Sequence, residues 1–196
     1  MAETAIALDG NEQTPKRNTG QSLLSFFGLL ALVLLFAFLL RTFVFQPYEI
    51  PSGSMEETIM PGDMVFSEKI SYHLRDIEAG DIVTFQEPNP ANPEKPRVLI
   101  KRCIALEGQT VNLVEGVVYV DNQPLNEPYT GGKTTKPLNS TTVQYPYTVP
   151  DGHIWVMGDN RTSSLDSRYF GAVPVSSVNG RAFFTYWPIG SIGLLE

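Results

Sequence analysis

Thr110-Val-Asn-Leu-Val-Glu115-Gly116-Val-Val-Tyr-Val-Asp121-Asn-Gln-Pro124 places two short runs of β-branched and apolar residues on either side of a Glu-Gly pair. That pattern predicts a hairpin, with Glu115-Gly116 turning the chain and Pro124 ending the second strand. The surroundings agree with it. Between Thr42 and Glu196 there are 27 Gly or Pro in 155 residues, and only Asp63–Ala79 is long and free of both. Long helices have no room in such a chain. Strand-like segments recur at Met64–Phe66, Asp81–Phe85, Val98–Ala105, Thr110–Leu113, Val117–Val120, His153–Met157 and Gly180–Tyr186. Short strands joined by turns predict a mainly β domain over residues 42–196. Pro88–Pro96 and Tyr129–Pro150 are rich in Pro, Gly, Thr and Asn and read as loops.

The N-terminal part differs. Asn18–Leu40 contains no charged residue, and from Leu23 to Leu40 only Ser25 and Gly28 interrupt the apolar run. Twenty-three residues of helix reach about 34 Å, enough for a hydrocarbon core of about 30 Å. A cleaved signal peptide needs a shorter apolar stretch and a small-residue cleavage site, whereas Arg41-Thr-Phe-Val-Phe-Gln46 follows here. Residues 18–41 are therefore read as an uncleaved transmembrane anchor, and 1–17 as a disordered tail. Lys16 and Arg17 against Arg41 favour a cytoplasmic N-terminus, with the β domain across the membrane.

Composition removes several classes of function. Lys+Arg 14 against Asp+Glu 21 gives a net charge of −7 without any basic run, which argues against a nucleic-acid partner. One cysteine, Cys103, excludes an intrachain disulfide, and two histidines, His73 and His153, make no zinc-ligand pattern.

Three segments carry residues suited to chemistry. In Ile50-Pro-Ser52-Gly53-Ser54-Met55, two serines flank a glycine that permits a tight turn. Such a turn either exposes a nucleophilic hydroxyl beside free N–H groups or is an ordinary Ser/Gly loop. In Arg97-Val-Leu-Ile-Lys101-Arg102-Cys-Ile-Ala-Leu-Glu-Gly108, strand alternation puts Leu99, Lys101, Cys103 and Ala105 on one face. Lys101 there either snorkels to water or stays desolvated as a neutral amine, which is a competent general base. Arg102 cannot serve, because guanidinium stays protonated. The third segment, Val156-Met-Gly158-Asp159-Asn160-Arg161-Thr-Ser-Ser164-Leu-Asp166-Ser-Arg168-Tyr-Phe-Gly171, is dense in charge. Its Asp and Arg residues either brace a long loop by ion pairs or place Ser164 to orient a neighbouring amine.

Taken together, Pro51-Ser-Gly-Ser-Met55, Gly80-Asp-Ile-Val83, Lys101-Arg102, Gly158-Asp-Asn-Arg161 and Ser164-Leu-Asp-Ser-Arg168, in this order behind one anchor, resemble bacterial type I signal peptidases. The resemblance runs from the anchor to about Tyr186. It implies a serine–lysine dyad protease with Ser54 as nucleophile and Lys101 as general base. It further implies an oxyanion hole from the Ser54 N–H and the Ser52 hydroxyl, a lysine-orienting Ser164, and support from Asp166 and Arg168. The fold implied is a single N-terminal transmembrane helix followed by an extracytoplasmic β-sheet, barrel-like catalytic domain, with residues 108–150 as a variable region built on a small inserted hairpin. The expected partners are signal-peptide-bearing preproteins with Ala-x-Ala cleavage sites, the lipid bilayer of the cell membrane or another energy-transducing membrane, and nearby export machinery. No metal or cofactor is expected. By the same resemblance Ile50, Met55, Ile59, Leu99 and Ile100 are candidates for shallow substrate pockets, with core packing as the other reading. Two departures stand out: Glu56-Glu57-Thr58, where the family usually has proline before the threonine, and Ser163, where asparagine is common.

Two rival readings remain. A Ser-His-Asp hydrolase needs His73 or His153 beside Ser54, and neither lies in a nucleophile-elbow context. A catalytically silent, membrane-tethered β domain would leave Lys101 charged and Ser54 idle. Asn139-Ser-Thr and Asn160-Arg-Thr match the glycosylation pattern and are read as chance.

Overall fold

The computed structural model describes residues 19–87, 94–139 and 143–195, with the side chains of 19–22, 39–43 and 73 outside the description. Two units emerge, dividing between Leu39 and Leu40.

The helix α1 runs from Thr19 to Phe43, so the division falls inside its last turn. Every described side chain on it, from 23 to 38, is exposed, and its large apolar residues are 42–78% accessible on all sides. Among the described residues no helix is long and apolar enough to cross a membrane; for α1 the described side chains fall short of the about 20 that a span requires.

The second unit is mainly β, as its turn-rich sequence dictates. Its larger sheet uses β1 (Phe45–Glu49), β2 (Met64–Glu68), β3 (Ile82–Glu87), β4 (Arg97–Ala105), β9 (His153–Met157), β10 (Val173–Pro174), β11 (Val178–Trp187) and β12 (Gly193–Leu194). Their order is β1-β2-β11-β3-β4-β9-β10, with β12 on β11, and the pairings are antiparallel. A smaller sheet, β7-β6-β5-β8, is built from β5 (Thr110–Val114), β6 (Val117–Val120), β7 (Gln123–Pro124) and β8 (Tyr147–Thr148).

The hairpin forms where it was expected. Val114 pairs with Val117, and Glu115 and Gly116 both take positive φ, 50° and 87°, as a two-residue turn matching the strand twist requires. Pro124 does not simply end the second strand. The chain turns again at Asp121-Asn122, both with positive φ, and Pro124 sits in β7, paired with Tyr119 at the sheet edge, where its missing N–H does no harm.

Three apolar clusters fill the unit. Ile50, Met55, Ile59, Val65, Ile82, Ile100, Ala182 and Leu195 form one. Val83, Phe85, Cys103, Ile154 and Val156 centre another, with Leu99 packed on it. The small sheet packs through Val111, Val118 and Val120 against Ile104, Ala105, Trp155 and Met157. Ala105 thus parts from Leu99 and Cys103, contrary to simple alternation. The β4–β9 register slips between Cys103 and Ala105, and an extra residue in one strand reverses the faces beyond it.

Candidate active site

Ser54 lies in a 3-10 turn, Gly53–Met55, that follows extended Ser52. Met55 and Ile59 are fully buried below it, so the apolar residues after the serine anchor the turn and leave the hydroxyl at its rim. Ile50 N–H bonds to Asp63 O and Gly62 N–H to Ile50 O, which closes the base of the loop.

Lys101 arrives from the middle of β4, paired with Val83 of β3. Its Nζ lies 2.6 Å from Ser54 Oγ and donates to the Ile100 carbonyl at 3.0 Å. The side chain is 3% exposed. Burial disfavours the ammonium and pulls its pKa from 10.5 down to about 8, although Asp166, Asp159 and Glu87 act in the opposite direction. A lysine with this pKa holds a usable fraction of free amine near neutral pH, as a general base must. The snorkelling alternative does not hold.

The loop after β9 frames the dyad. Gly158 is required for close approach: a Cβ there would sit 2.3 Å from Ser164 Oγ and 2.4 Å from the Ser54 carbonyl oxygen. Asn160 N–H donates to Ser54 O, while Asn160 Nδ2 donates to Gly53 O at 2.9 Å and to Glu56 Oε2 at 2.8 Å. These bonds tie the loop to the serine turn on both sides of Ser54.

Buried ion pairs fix the loop, and two of them reach beyond it. Asp166 accepts from Arg168 Nε and Nη2, each at 2.8 Å, and from Gly158 N–H at 3.0 Å. Asp166 and Arg168 therefore hold the glycine in place, and Asp166 also caps the short helix α3 (Ser167–Phe170). Asp159 takes the fork of Arg102, Nε–Oδ1 at 2.9 Å and Nη2–Oδ2 at 2.7 Å, and accepts from Thr58 Oγ1 at 2.5 Å. Arg161 pairs with Glu127, from the inserted region. The sequence reading missed Glu127 and named Thr58 and Asn160 without giving them a role; their partners lie 34, 101 and 107 residues away, and no local pattern announces such contacts.

The remaining predicted residues are distributed as follows. Ser52 is exposed at the head of the turn, with no capping bond from its side chain. Ser164 is 7% exposed, and its Oγ has no hydrogen-bond partner among the described residues; it flanks the dyad without bonding Lys101. Ile50, Met55, Ile59 and Ile100 pack together in one cluster, whereas Leu99 packs in another. Glu57, at the position of the family's proline, has φ 85°, which proline cannot adopt; the departure is absorbed by a different turn. His153 uses Nδ1 on the Asp151 carbonyl at 2.8 Å, and the His73 side chain lies outside the described residues.

Comparison with known proteins identifies the family. The family described as "Signal peptidase, peptidase S26" matches residues 23–187. The chain belongs to the signal peptidase family. It is thus a serine endopeptidase of the signal peptidase I type. It is 41% identical to the probable signal peptidase I-1 of Synechocystis, over 85% of this chain and 84% of that protein. It is 37% identical to thylakoidal processing peptidase 1 of Arabidopsis thaliana, over 76% of this chain and 44% of the relative. A crystal structure of a signal peptidase I from Enterococcus faecalis superposes with a TM-score of 0.46 at 33% identity, covering 55% of this chain and 97% of that one.

Proposed function

We propose that this signal peptidase cuts exported preproteins with Ser54 as nucleophile and neutral Lys101 as general base. The observation that carries the assignment is the 2.6 Å contact between Nζ and Oγ, made by a buried lysine whose pKa is pulled down. As the free amine, Lys101 accepts the Ser54 proton. Oγ then attacks the carbonyl carbon of the scissile bond, and the resulting oxyanion faces the Ser54 N–H and the Ser52 hydroxyl. Such donors are worth about 2.7–4 kcal/mol each. The lysine ammonium passes its proton to the departing amine, and the signal peptide stays as an ester on Ser54. Water, deprotonated by the regenerated amine, releases it. Ser164 orients the amine during this cycle, and its unpartnered hydroxyl leaves it available for that bond. No observation favours the silent-domain alternative.

The apolar cluster of Ile50, Met55, Ile59 and Ile100 lies behind the serine turn, and we propose that it forms the floor under shallow pockets for small side chains, as in an Ala-x-Ala site; Leu99 packs in a separate cluster. Residues 18–41 serve as the anchor in the cell membrane or another energy-transducing membrane, with the N-terminus cytoplasmic and the export machinery nearby. The apolar belt exposed all round α1 supports this, since a helix apolar on every side has no place in water.

The test is cleavage of a preprotein bearing an Ala-x-Ala site by the detergent-solubilised full chain beside Ser54→Ala and Lys101→Met. Cleavage after the second alanine by wild type alone is expected. Equal cleavage by folded Lys101→Met would overturn the base assignment.

A further inference from the structure

We infer that Glu127 and Tyr129, in the inserted region, are positioning residues for catalysis: they clamp the two arginines that hold the catalytic loop against Ser54. The inference rests on the Ser54–Lys101 reading above.

Glu127 and Tyr129 stand at the start of a 3-10 turn, Pro128–Thr130, outside both sheets. Glu127 receives Arg161 through both terminal nitrogens, Nη1 to Oε2 at 2.8 Å and Nη2 to Oε1, and accepts the Tyr129 hydroxyl at 3.1 Å. Arg161 Nη1 also donates to the buried Thr135 hydroxyl at 2.8 Å. Over the Tyr129 ring lie two guanidinium carbons, Arg102 Cζ at 4.0 Å and Arg161 Cζ at 5.9 Å from its centroid. Both distances fall within the range over which a ring face attracts a cation. Arg102 and Arg161 are 2% and 1% exposed, so neither charge is relieved by water. Two buried cations on one ring need a carboxylate each. Asp159 and Glu127 supply the carboxylates, and the Tyr129 ring supplies a contact common to both.

These contacts continue to the dyad. Arg161 Nε donates to Gly158 O at 3.0 Å, fixing the glycine that faces the Ser54 carbonyl and Ser164 Oγ. Arg102 holds Asp159, which holds Thr58, three residues past the serine turn. Asn160, between the two clamped residues, bonds to Ser54 O and Gly53 O. Lys133 Nζ to Glu57 Oε1 at 2.9 Å is a second strap from the same region to the same turn. Loosening the clamp therefore moves the nucleophile relative to the amine without removing either. Tyr129 touches none of the proposed reacting groups, so its loss should lower kcat and leave KM in place.

The test compares Tyr129→Leu, Tyr129→Phe and Glu127→Gln in the full chain in detergent, on an Ala-x-Ala preprotein, with wild type and Lys101→Met alongside. Tyr129→Leu should lower kcat at least 30-fold with KM within threefold. Tyr129→Phe, which keeps the ring face, should recover kcat to within about threefold of wild type. Should Tyr129→Leu fail to fold by circular dichroism, the isosteric Glu127→Gln decides, with a kcat loss of at least tenfold expected at unchanged KM. A folded Tyr129→Leu or Glu127→Gln with wild-type kcat, or a Phe variant as poor as Leu, overturns the inference while the dyad stands. Full activity in Lys101→Met would instead remove the dyad reading, and the clamp with it.

Discussion

Replacing Lys101 by Met should abolish cleavage and, at neutral pH, make the domain more stable. In the folded chain the lysine titrates at about 8, against 10.5 for an unburied lysine. Between those values the unfolded chain binds the extra proton, so stability rises with pH across the window and the penalty is fully present below about 8. At about 1.4 kcal/mol per pH unit, the penalty is about 3 kcal/mol. Met removes it, while the lost bonds to Ser54 Oγ and Ile100 O offset about 1 kcal/mol each. The net gain is about 1–2 kcal/mol, a rise in melting temperature of about 3–6 °C for a domain of this size. Thermal melts of detergent-solubilised wild type and Lys101→Met at pH 7 should show this gap, and melts at pH 10, where less than about 1 kcal/mol of the penalty remains against the same lost bonds, should show it reversed. In the same preparations, kcat/KM of wild type should fall about tenfold per pH unit below about 8, because only the free amine is active. The reasoning is refuted if the Met variant melts below wild type at pH 7, or if the gap is the same at both pH values.

Four further outcomes follow from the geometry. Gly158→Ala forces a methyl into the Ser54 carbonyl and Ser164 Oγ; an overpacking loss of about 1–3 kcal/mol should appear in melts, with a kcat loss of at least tenfold. Ser164→Ala deletes a buried hydroxyl without a partner among the described residues, so the melting temperature should hold or rise while kcat falls; an unchanged kcat would remove its orienting role. Asp159→Asn leaves the Arg102 guanidinium buried without a countercharge and should cost about 3–5 kcal/mol in denaturant unfolding. Glu115→Asn puts the favoured residue at φ 50° in the hairpin turn and should raise the melting temperature with activity unaltered.

The parts of the molecule legible in the sequence are those written in local periodicity or in motif spacing. β6 and β9 coincide with the expected Val117–Val120 and His153–Met157, because β6 alternates in burial and β9 is a short continuous apolar run bounded by turn residues. The two-residue strands β7, β8, β10 and β12 are too short to show a period. The slip between Cys103 and Ala105 is set by the neighbouring strand and leaves no mark in β4 itself. At the site, the resemblance singled out Ser54 and Lys101, which the fold brings to 2.6 Å from each other, but the loop's ion pairs were misjudged in part. Asp166 and Arg168 do pair within the loop, whereas Asp159 and Arg161 find partners 57 and 34 residues away. Charge density along a chain shows that buried pairing is needed, and only the fold decides between whom.

Lys101 and Arg102 are neighbours on β4, one meeting the nucleophile and the other the Asp159 carboxylate. Their surroundings differ: Lys101 is buried against a hydroxyl and a carbonyl, and Arg102 is buried against a carboxylate. A strand that slid by a single residue would exchange them, presenting to the serine a base that cannot deprotonate. Pairing of β4 with β3 through Val83 and Ile82, and with β9 through Met157, blocks that slide from both edges. In this enzyme the proposed catalytic base is thus selected twice, once by the genetic code and once by the phase of a β-ladder.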